Sequence, residues 1–90
     1  MDYQLIDNEI AKRYEFHVDG VIPKIDYKKA KGKIYLVHTE VPEQLKGKGI
    51  ASALVKKVLE DIRQKEITLV SICPFVAMYI KRHPEWESLL

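Results

Sequence analysis

Cysteine, glycine and proline are all scarce in this chain of 90 residues, and long apolar runs are missing. A single cysteine, Cys73, excludes an intramolecular disulfide framework and a cysteine-based zinc cluster, and we expect no metal. No apolar run approaches the ~18 residues of a membrane span, and the first three residues do not resemble a signal peptide. Four glycines and four prolines leave no linker, so we expect one domain over residues 1–90. The lone cysteine and the start of the chain lead us to expect a reduced, cytoplasmic protein.

The charges are nearly balanced, with 15 basic against 13 acidic side chains and a net charge of +2. This excess is too small to indicate a membrane or nucleic-acid partner by itself. Hydrophobic residues make up 47% of the chain, enough for one core in a protein of this size. We expect a monomer that binds neither membrane nor nucleic acid.

Alternating apolar and polar residues predict antiparallel strands in the first half of the chain. The segments Ala11–Val18 and Val21–Tyr27 flank Asp19-Gly20, a pair typical of a β-hairpin. A lysine-rich segment, residues 28–33, is interpreted as a turn. It leads into a third strand over Ile34–Val41.

The second half of the chain changes to the ~3.6-residue period of a helix. The apolar stripe of this helix, which starts at Gly49, consists of Ile50, Leu54, Val55, Val58, Leu59 and Ile62. A short buried strand over Ile67–Cys73 follows, then a helix from Pro74 to about Arg82. Strand, helix and strand form a βαβ unit with a parallel pair. The predicted fold is α/β (α+β): antiparallel N-terminal strands joined to this unit, with short C-terminal helices.

A glycine-rich loop lies between the third strand and the helix, where parallel sheets bind ligands. Gly47 and Gly49 let backbone N–H groups approach an anion, and the helix N-terminus adds donors and a positive dipole. Lys46 and Lys48 add cations. The spacing does not fit a P-loop or a Rossmann fingerprint, so the loop predicts a phosphate or pyrophosphate site of another kind.

Two side chains at the same edge of the sheet could carry chemistry. Cys73 ends the second parallel strand before a helix N-terminus, a place that favours a thiolate nucleophile. His38 lies near the end of the first parallel strand and could act as its base. The alternatives are that Cys73 is a small core residue and His38 a structural one.

The spacing Gln44-x-x-Gly47-x-Gly49 is similar to the Gln/Arg-x-x-Gly-x-Gly/Ala signature of the Gcn5-related N-acetyltransferases (GNAT), which binds the pyrophosphate of coenzyme A. The blocks His38–Pro42, Gly47–Ala51, Cys73-Pro74 and Tyr79–Pro84 resemble a subfamily of very small, single-domain members. The resemblance covers the chain from about Glu9 to Trp86. It implies the minimal GNAT-like form of the α/β fold.

The resemblance implies an N-acetyltransferase that moves the acetyl group of acetyl-CoA to an amine, on a small molecule or a protein lysine. Transfer would be direct or would pass through an acetylated Cys73, and His38 and Cys73 are the catalytic candidates. Residues expected to contact the cofactor are Glu40, Val41, Lys46, Gly47, Lys48, Gly49, Ile50, Ala51 and Tyr79. Tyr79 lies near the family's general-acid position but about one residue short of it, and it could instead pack with Phe75.

Two other functions are compatible with the sequence. A CoA-binding module without independent catalysis would use the same loop and leave Cys73 inert. A small nucleic-acid module would use Lys46, Lys48 and the hairpin lysines, although the sequence offers no aromatic stacking platform.

Overall fold

The computed structural model describes residues 3–90 as a five-stranded sheet with helices packed on one face. The strands lie in chain order: β1 (Ile6–Asn8), β2 (Arg13–Glu15), β3 (Lys24–Ala30), β4 (Lys33–Glu40) and β5 (Thr68–Ser71). The helices are α1 (Ile50–Lys65) and α2 (Pro74–Arg82), and 3-10 turns cover Glu43–Leu45 and Pro84–Leu89. Only β4 and β5 are parallel, which confirms the predicted α/β fold. No helix within residues 3–90 is long and apolar enough to cross a membrane.

The N-terminal strands differ from the sequence-based prediction in their boundaries. Strand β1 was not predicted, because three residues with no clear alternation give no signal outside the sheet. The Asp19-Gly20 hairpin is present, but next to it only a single bridge joins Val18 and Val21. Strand β3 continues through the lysine-rich segment to Ala30, because cross-strand pairing with β4 holds these residues extended.

The apolar stripe of α1 packs against the sheet as the helical periodicity predicts. All six predicted residues of the stripe are buried. From the sheet, Tyr14, Ile25, Ile34 and Leu36 are fully buried in the same core. This packing fixes α1 across the sheet and therefore fixes where its N-terminus lies.

A polar network also ties α1 to the N-terminal strands. The Tyr14 hydroxyl donates to Asp61 Oδ2 at 2.8 Å, and Lys65 Nζ binds the same oxygen at 2.8 Å. Lys65 reaches Asp7 at 3.0 Å, and Asp7 accepts a hydrogen bond of 2.5 Å from the Tyr27 hydroxyl. One lysine thus connects carboxylates from β1 and α1, each of which also receives a tyrosine hydroxyl from the sheet.

Replacing Tyr14 by Phe tests this network without opening a cavity. We expect Tyr14→Phe to lower the free energy of unfolding by about 1 kcal/mol, the usual net value of a buried hydrogen bond. Urea denaturation measures the change. Tyr35→Phe, on the other face of the sheet, is the control and should change stability little. Equal losses in the two variants would contradict this account.

The two tyrosines also predict a pH dependence. Burial and the Asp61 hydrogen bond raise the pKa of Tyr14, and burial and Asp7 raise the pKa of Tyr27. Because the pKa values are raised in the folded state, the two protonated tyrosines contribute to stability below the unfolded-state pKa of about 10. This contribution is lost as the pH rises above that value. We expect both phenols to ionise only with unfolding. Phenolate absorbance and circular dichroism, followed together through an alkaline titration, measure this; ionisation of all five tyrosines before unfolding would contradict it.

Candidate active site

The segment between β4 and α1 turns sharply at two glycines. Gly47 and Gly49 have φ angles of 81° and 73°, in the left-handed region that favours glycine. Just before them, Leu45 is buried in the core and anchors the loop. Gly49 is also the N-cap of α1, so no side chain caps the helix. The loop therefore presents backbone, rather than side chains, in front of the helix.

The first turn of α1 supplies hydrogen-bond donors to this loop. The first intrahelical bond runs from the Ala53 amide to the Gly49 carbonyl at 3.1 Å. The amides of residues 50–52 thus have no acceptor within the helix, and they lie at its positive end. A Cβ placed on Gly47 or Gly49 would meet no atom within 4 Å. The space in front of these donors is free to receive an anion such as a pyrophosphate.

Two lysines flank the donors. Lys46 and Lys48 are both exposed, so their ammonium groups can move toward a bound anion. Lys46 Nζ lies 3.0 Å from a carboxylate oxygen of the exposed Glu43. A surface pair of this kind contributes little and can exchange its partner when an anion binds.

A cleft of about 360 Å³ opens beside the glycine loop. This volume lies within the range of small-molecule sites. Its walls come from the end of β4, the loop, the first turn of α1 and the start of α2. The lining residues are Thr39, Val41, Leu45, Lys46, Gly47, Gly49, Ile50, Ala51, Ser52 and Phe75. The cleft therefore combines apolar side chains with amide donors and a cation.

Strands β4 and β5 separate at the carboxyl edge of the sheet, next to this cleft. Their pairing ends at Leu36 and Ser71, although β4 continues to Glu40. The amides of Ile72 and Cys73 both donate to the Leu36 carbonyl, at 3.0 and 2.9 Å, and turn the chain away. Beyond this point the side of β4 that faced β5 has no strand partner in residues 3–90. Its backbone can pair with an extended ligand.

A β-bulge changes which side chains of β4 face the cleft. The register with β3 skips Val37, which lies between Leu36 and His38. A bulge inserts one residue and reverses the alternation beyond it. Thr39 therefore lies opposite the buried Ile25, on the face that the helices cover.

The bulge also explains the position of His38. Uninterrupted alternation would put His38 on the helix-covered face, but it is exposed on the opposite face, where it pairs across the strands with Asp26. Cys73 lies on the covered side, with its Sγ 3.2 Å from the Thr39 hydroxyl. The structure thus does not bring His38 and Cys73 together, because one inserted residue puts them on different faces of the sheet.

Cys73 lies behind the cleft wall. It is the N-cap residue of α2, as the sequence predicts, and it is only 3% exposed. Its backbone is held at both ends: the amide donates to Leu36, and the carbonyl accepts from Ala77 at 3.1 Å. Thr39 lines the cleft and separates the Cys73 sulfur from it.

Tyr79 lies in a second, smaller hollow that adjoins the cleft. The hollow has a volume of about 110 Å³ and shares Ser52 and Phe75 with the cleft. The Tyr79 ring stacks on His83 at 4.1 Å, and the Tyr79 carbonyl lies 2.9 Å from His83 Nδ1. Burial, with Glu85 and Glu60 nearby, raises the pKa of Tyr79. The Tyr79 hydroxyl therefore stays protonated at neutral pH.

The residues of these walls that were not among the predicted site residues include Thr39, Ser52, Phe75 and His83. The bulge hides Thr39 from any argument based on alternation. The other three carry a signal that could have been used: Ser52 belongs to the first turn of α1, and Phe75 and His83 lie one turn on either side of Tyr79.

The family comparison agrees with this geometry. Residues 13–89 match the model of a family described as GCN5-related N-acetyl-transferase. This match covers most of the chain, the glycine loop included. The chain belongs to the GCN5-related N-acetyltransferase family.

The chain is also similar in sequence to curated relatives and in fold to a solved structure. The chain is 32% identical to Protein NATD1 of Xenopus tropicalis over 54 residues, which is 60% of this chain and 50% of the relative. It is 35% identical to human Protein NATD1 over 49 residues, 54% of this chain and 43% of the relative. The match thus spans about half the length of these curated relatives. A GCN5-like protein from Staphylococcus aureus, solved by NMR, superposes with a TM-score of 0.73 at 20% identity, covering 97% of this chain and 86% of that one.

The burial of Cys73 predicts slow thiol chemistry. We expect Cys73 to react with a thiol reagent such as a disulfide probe far more slowly in the folded protein than in urea, because the reagent must wait for local opening. Absorbance of the released thiolate measures the rate. The Thr39→Gly variant should react faster, since it removes the side chain that covers the sulfur. A fast reaction in the unchanged protein would contradict the buried position.

Proposed function

We propose that the protein transfers the acetyl group of acetyl-CoA to an amine. The observation that carries this proposal is the cleft, in which helix amide donors and unpaired strand backbone line the same space. A pyrophosphate suits the first group, and an extended arm with amide groups suits the second. The family to which the chain belongs supports the same cofactor.

The proposed contacts follow the order of groups in the cofactor. The backbone of Gly47, Gly49 and the first turn of α1 would bind the pyrophosphate, helped by Lys46 and Lys48. The backbone of Glu40 and Val41 would pair with the pantetheine arm. The thioester would then lie near Thr39.

The burial of Cys73 favours direct transfer over an acetyl-cysteine. In the direct route the amine nitrogen attacks the thioester carbonyl, a C–N bond forms, the C–S bond breaks, and CoA leaves as a thiolate. A proton lost by the amine is returned to that sulfur. Tyr79, whose hydroxyl stays protonated, is the candidate donor to the sulfur, and the proton that the amine releases to solvent replaces the one that Tyr79 gives. An acetylated Cys73, by contrast, would first require the sulfur to become exposed.

Adding a methyl group to the glycine loop tests the anion site. Gly49→Ala places a Cβ where the ligand is proposed to lie, so we expect acetyl-CoA to bind about tenfold or more weakly, a change of about 1.4 kcal/mol. Isothermal calorimetry measures the dissociation constant of each variant.

The matched control for this variant is Gly32→Ala. Gly32 has a φ of 77° and equally open surroundings, but it lies in the β3–β4 turn at the other end of β4. Both variants therefore carry the same backbone strain, and only Gly49→Ala should lose affinity. Equal affinities in the two variants would mean that the glycine loop is only a turn.

Cys73→Ala separates the two chemical routes. Direct transfer predicts that turnover on an amine and affinity for acetyl-CoA both remain nearly unchanged, because the sulfur touches neither substrate. An acetyl-cysteine route predicts lost turnover with intact binding. Mass spectrometry of the unchanged protein after incubation with acetyl-CoA adds a direct readout, since a covalent acetyl group on Cys73 would overturn the direct route.

Turnover itself separates an enzyme from a binding module. Release of CoA thiol in the presence of a simple primary amine supports the proposed transfer. Tight binding of acetyl-CoA without release on any amine or peptide tested would instead assign a CoA-binding module.

A further inference from the structure

Strand β5 is the last strand of the sheet, and its outer edge is unpaired within residues 3–90. The amide and carbonyl groups of an edge strand can pair with another extended chain. At the opposite edge, β1 has three residues and carries Asp7. The segment Ile67–Ile72, which includes β5, contains no charge and no proline. It carries neither the charged side chains nor the prolines that often block pairing at a sheet edge.

The edge of β5 leads directly into the candidate active site. The strand ends two residues before Cys73, which contacts Thr39 in the cleft wall. Three of the six large apolar side chains that are exposed in residues 3–90 follow at this end: Ile72, Phe75 and Met78. Phe75 also lines the cleft. An extended chain on this edge would meet apolar surface just where the thioester is proposed to lie.

The other end of the β5 edge is basic. Lys33 is the cross-strand partner of Thr68, at the start of β5. A hollow of about 290 Å³ beside it is lined by Lys29, Ala30, Lys31, Gly32, Lys33 and Ile67. Lys31 and Gly32 form the tight turn, with φ angles of 53° and 77°, which projects Lys31 from the hairpin. This end of the edge is complementary to acidic side chains.

We propose that the β5 edge binds the amine acceptor as an extended acidic peptide, which adds an antiparallel strand to the sheet. The proposal rests on the transfer reaction proposed above and names its substrate class. Antiparallel pairing puts the N-terminal part of the peptide beside the end of β5, so a lysine there enters the cleft. At about 3.3 Å per residue, acidic residues about four to five positions further along come level with Lys33, which lies on β4, two strand spacings or about 10 Å from the peptide. The long side chains of lysine and glutamate together span that distance, and Lys31 follows in the adjoining turn.

The backbone edge and the lysines contribute different parts of this binding. Backbone hydrogen bonds hold the peptide regardless of sequence, as in other sites that bind by strand addition. The lysines then select acidic peptides and set the register, because the distance from the cleft to the basic end is fixed. A second copy of the chain fits less well, since β5 and Ile72 offer no acidic group to the partner's lysines.

The binding test uses an N-terminally blocked peptide of sequence Gly-Lys-Val-Thr-Val-Glu-Glu and the full chain without acetyl-CoA. Amide chemical shifts from NMR report where the peptide binds, whether or not the protein catalyses transfer. We expect shifts at Thr68–Ile72. They should disappear with the same peptide methylated at alternate backbone nitrogens, which keeps every side chain and removes the ladder hydrogen bonds.

The activity test uses charge reversal. We expect Lys31→Glu combined with Lys33→Glu to raise KM for this peptide about tenfold at low salt. The kcat on ethylamine, which cannot reach the lysines, should stay unchanged. Lys56→Glu with Lys81→Glu, on exposed helix positions, gives the same net charge and should leave KM unchanged. A peptide with Lys-Lys in place of Glu-Glu should restore binding to the first variant.

The outcomes distinguish this inference from the transfer reaction. If the protein acetylates ethylamine but the peptide causes no shifts at β5, or causes shifts that N-methylation does not remove, the proposed peptide site is wrong and the proposed transfer reaction stands. If the β5 shifts of the protein alone change with protein concentration, the edge pairs with a second copy of the chain, and the proposal is overturned. Shifts at β5 without turnover on any amine support the edge while the transfer reaction fails.

Discussion

The candidate active site depends on one constraint, the early end of the pairing between β4 and β5. Pairing stops at Leu36 and Ser71 because the amides of Ile72 and Cys73 both turn back to one carbonyl. Past that point β4 stays paired with β3, but no strand within residues 3–90 pairs with its backbone on the side that faced β5. The cleft lies in the resulting gap, and α2 begins at its wall. A sheet fully paired to its carboxyl edge would have no such cleft.

The part of the site that carries the amide donors depends on the position of α1. Its buried stripe and the contacts of Asp61 and Lys65 with the N-terminal strands hold the helix across the sheet. The N-terminus of α1 consequently points its free amides at the gap beyond β4. Gly47 and Gly49 complete the arrangement, since their left-handed backbone brings the chain from strand to helix and leaves the space in front of the amides open. Helix placement and strand separation together define one ligand site.

Much of this arrangement could be predicted from the sequence, since it depends on local patterns. The period of α1, the βαβ order and the glycine loop each depend on a few neighbouring residues. The bulge at Val37 could not be predicted in this way, because it is a property of the register between two strands. Because of the bulge, the residue of β4 that lies beside Cys73 is Thr39, and not His38 as alternation predicts. The position of Cys73 before α2 was predicted, but its burial depends on how Thr39 covers it.

The central claim is that the loop and the first turn of α1 bind the pyrophosphate of the cofactor. Calorimetric titration with acetyl-CoA and with acetyl-pantetheine tests it most directly, since the second compound keeps the thioester arm and lacks the pyrophosphate. The account predicts that acetyl-CoA binds and that acetyl-pantetheine binds at least about a hundredfold more weakly, a difference of about 2.7 kcal/mol. Equal affinity for the two compounds, or no binding of acetyl-CoA, would contradict it.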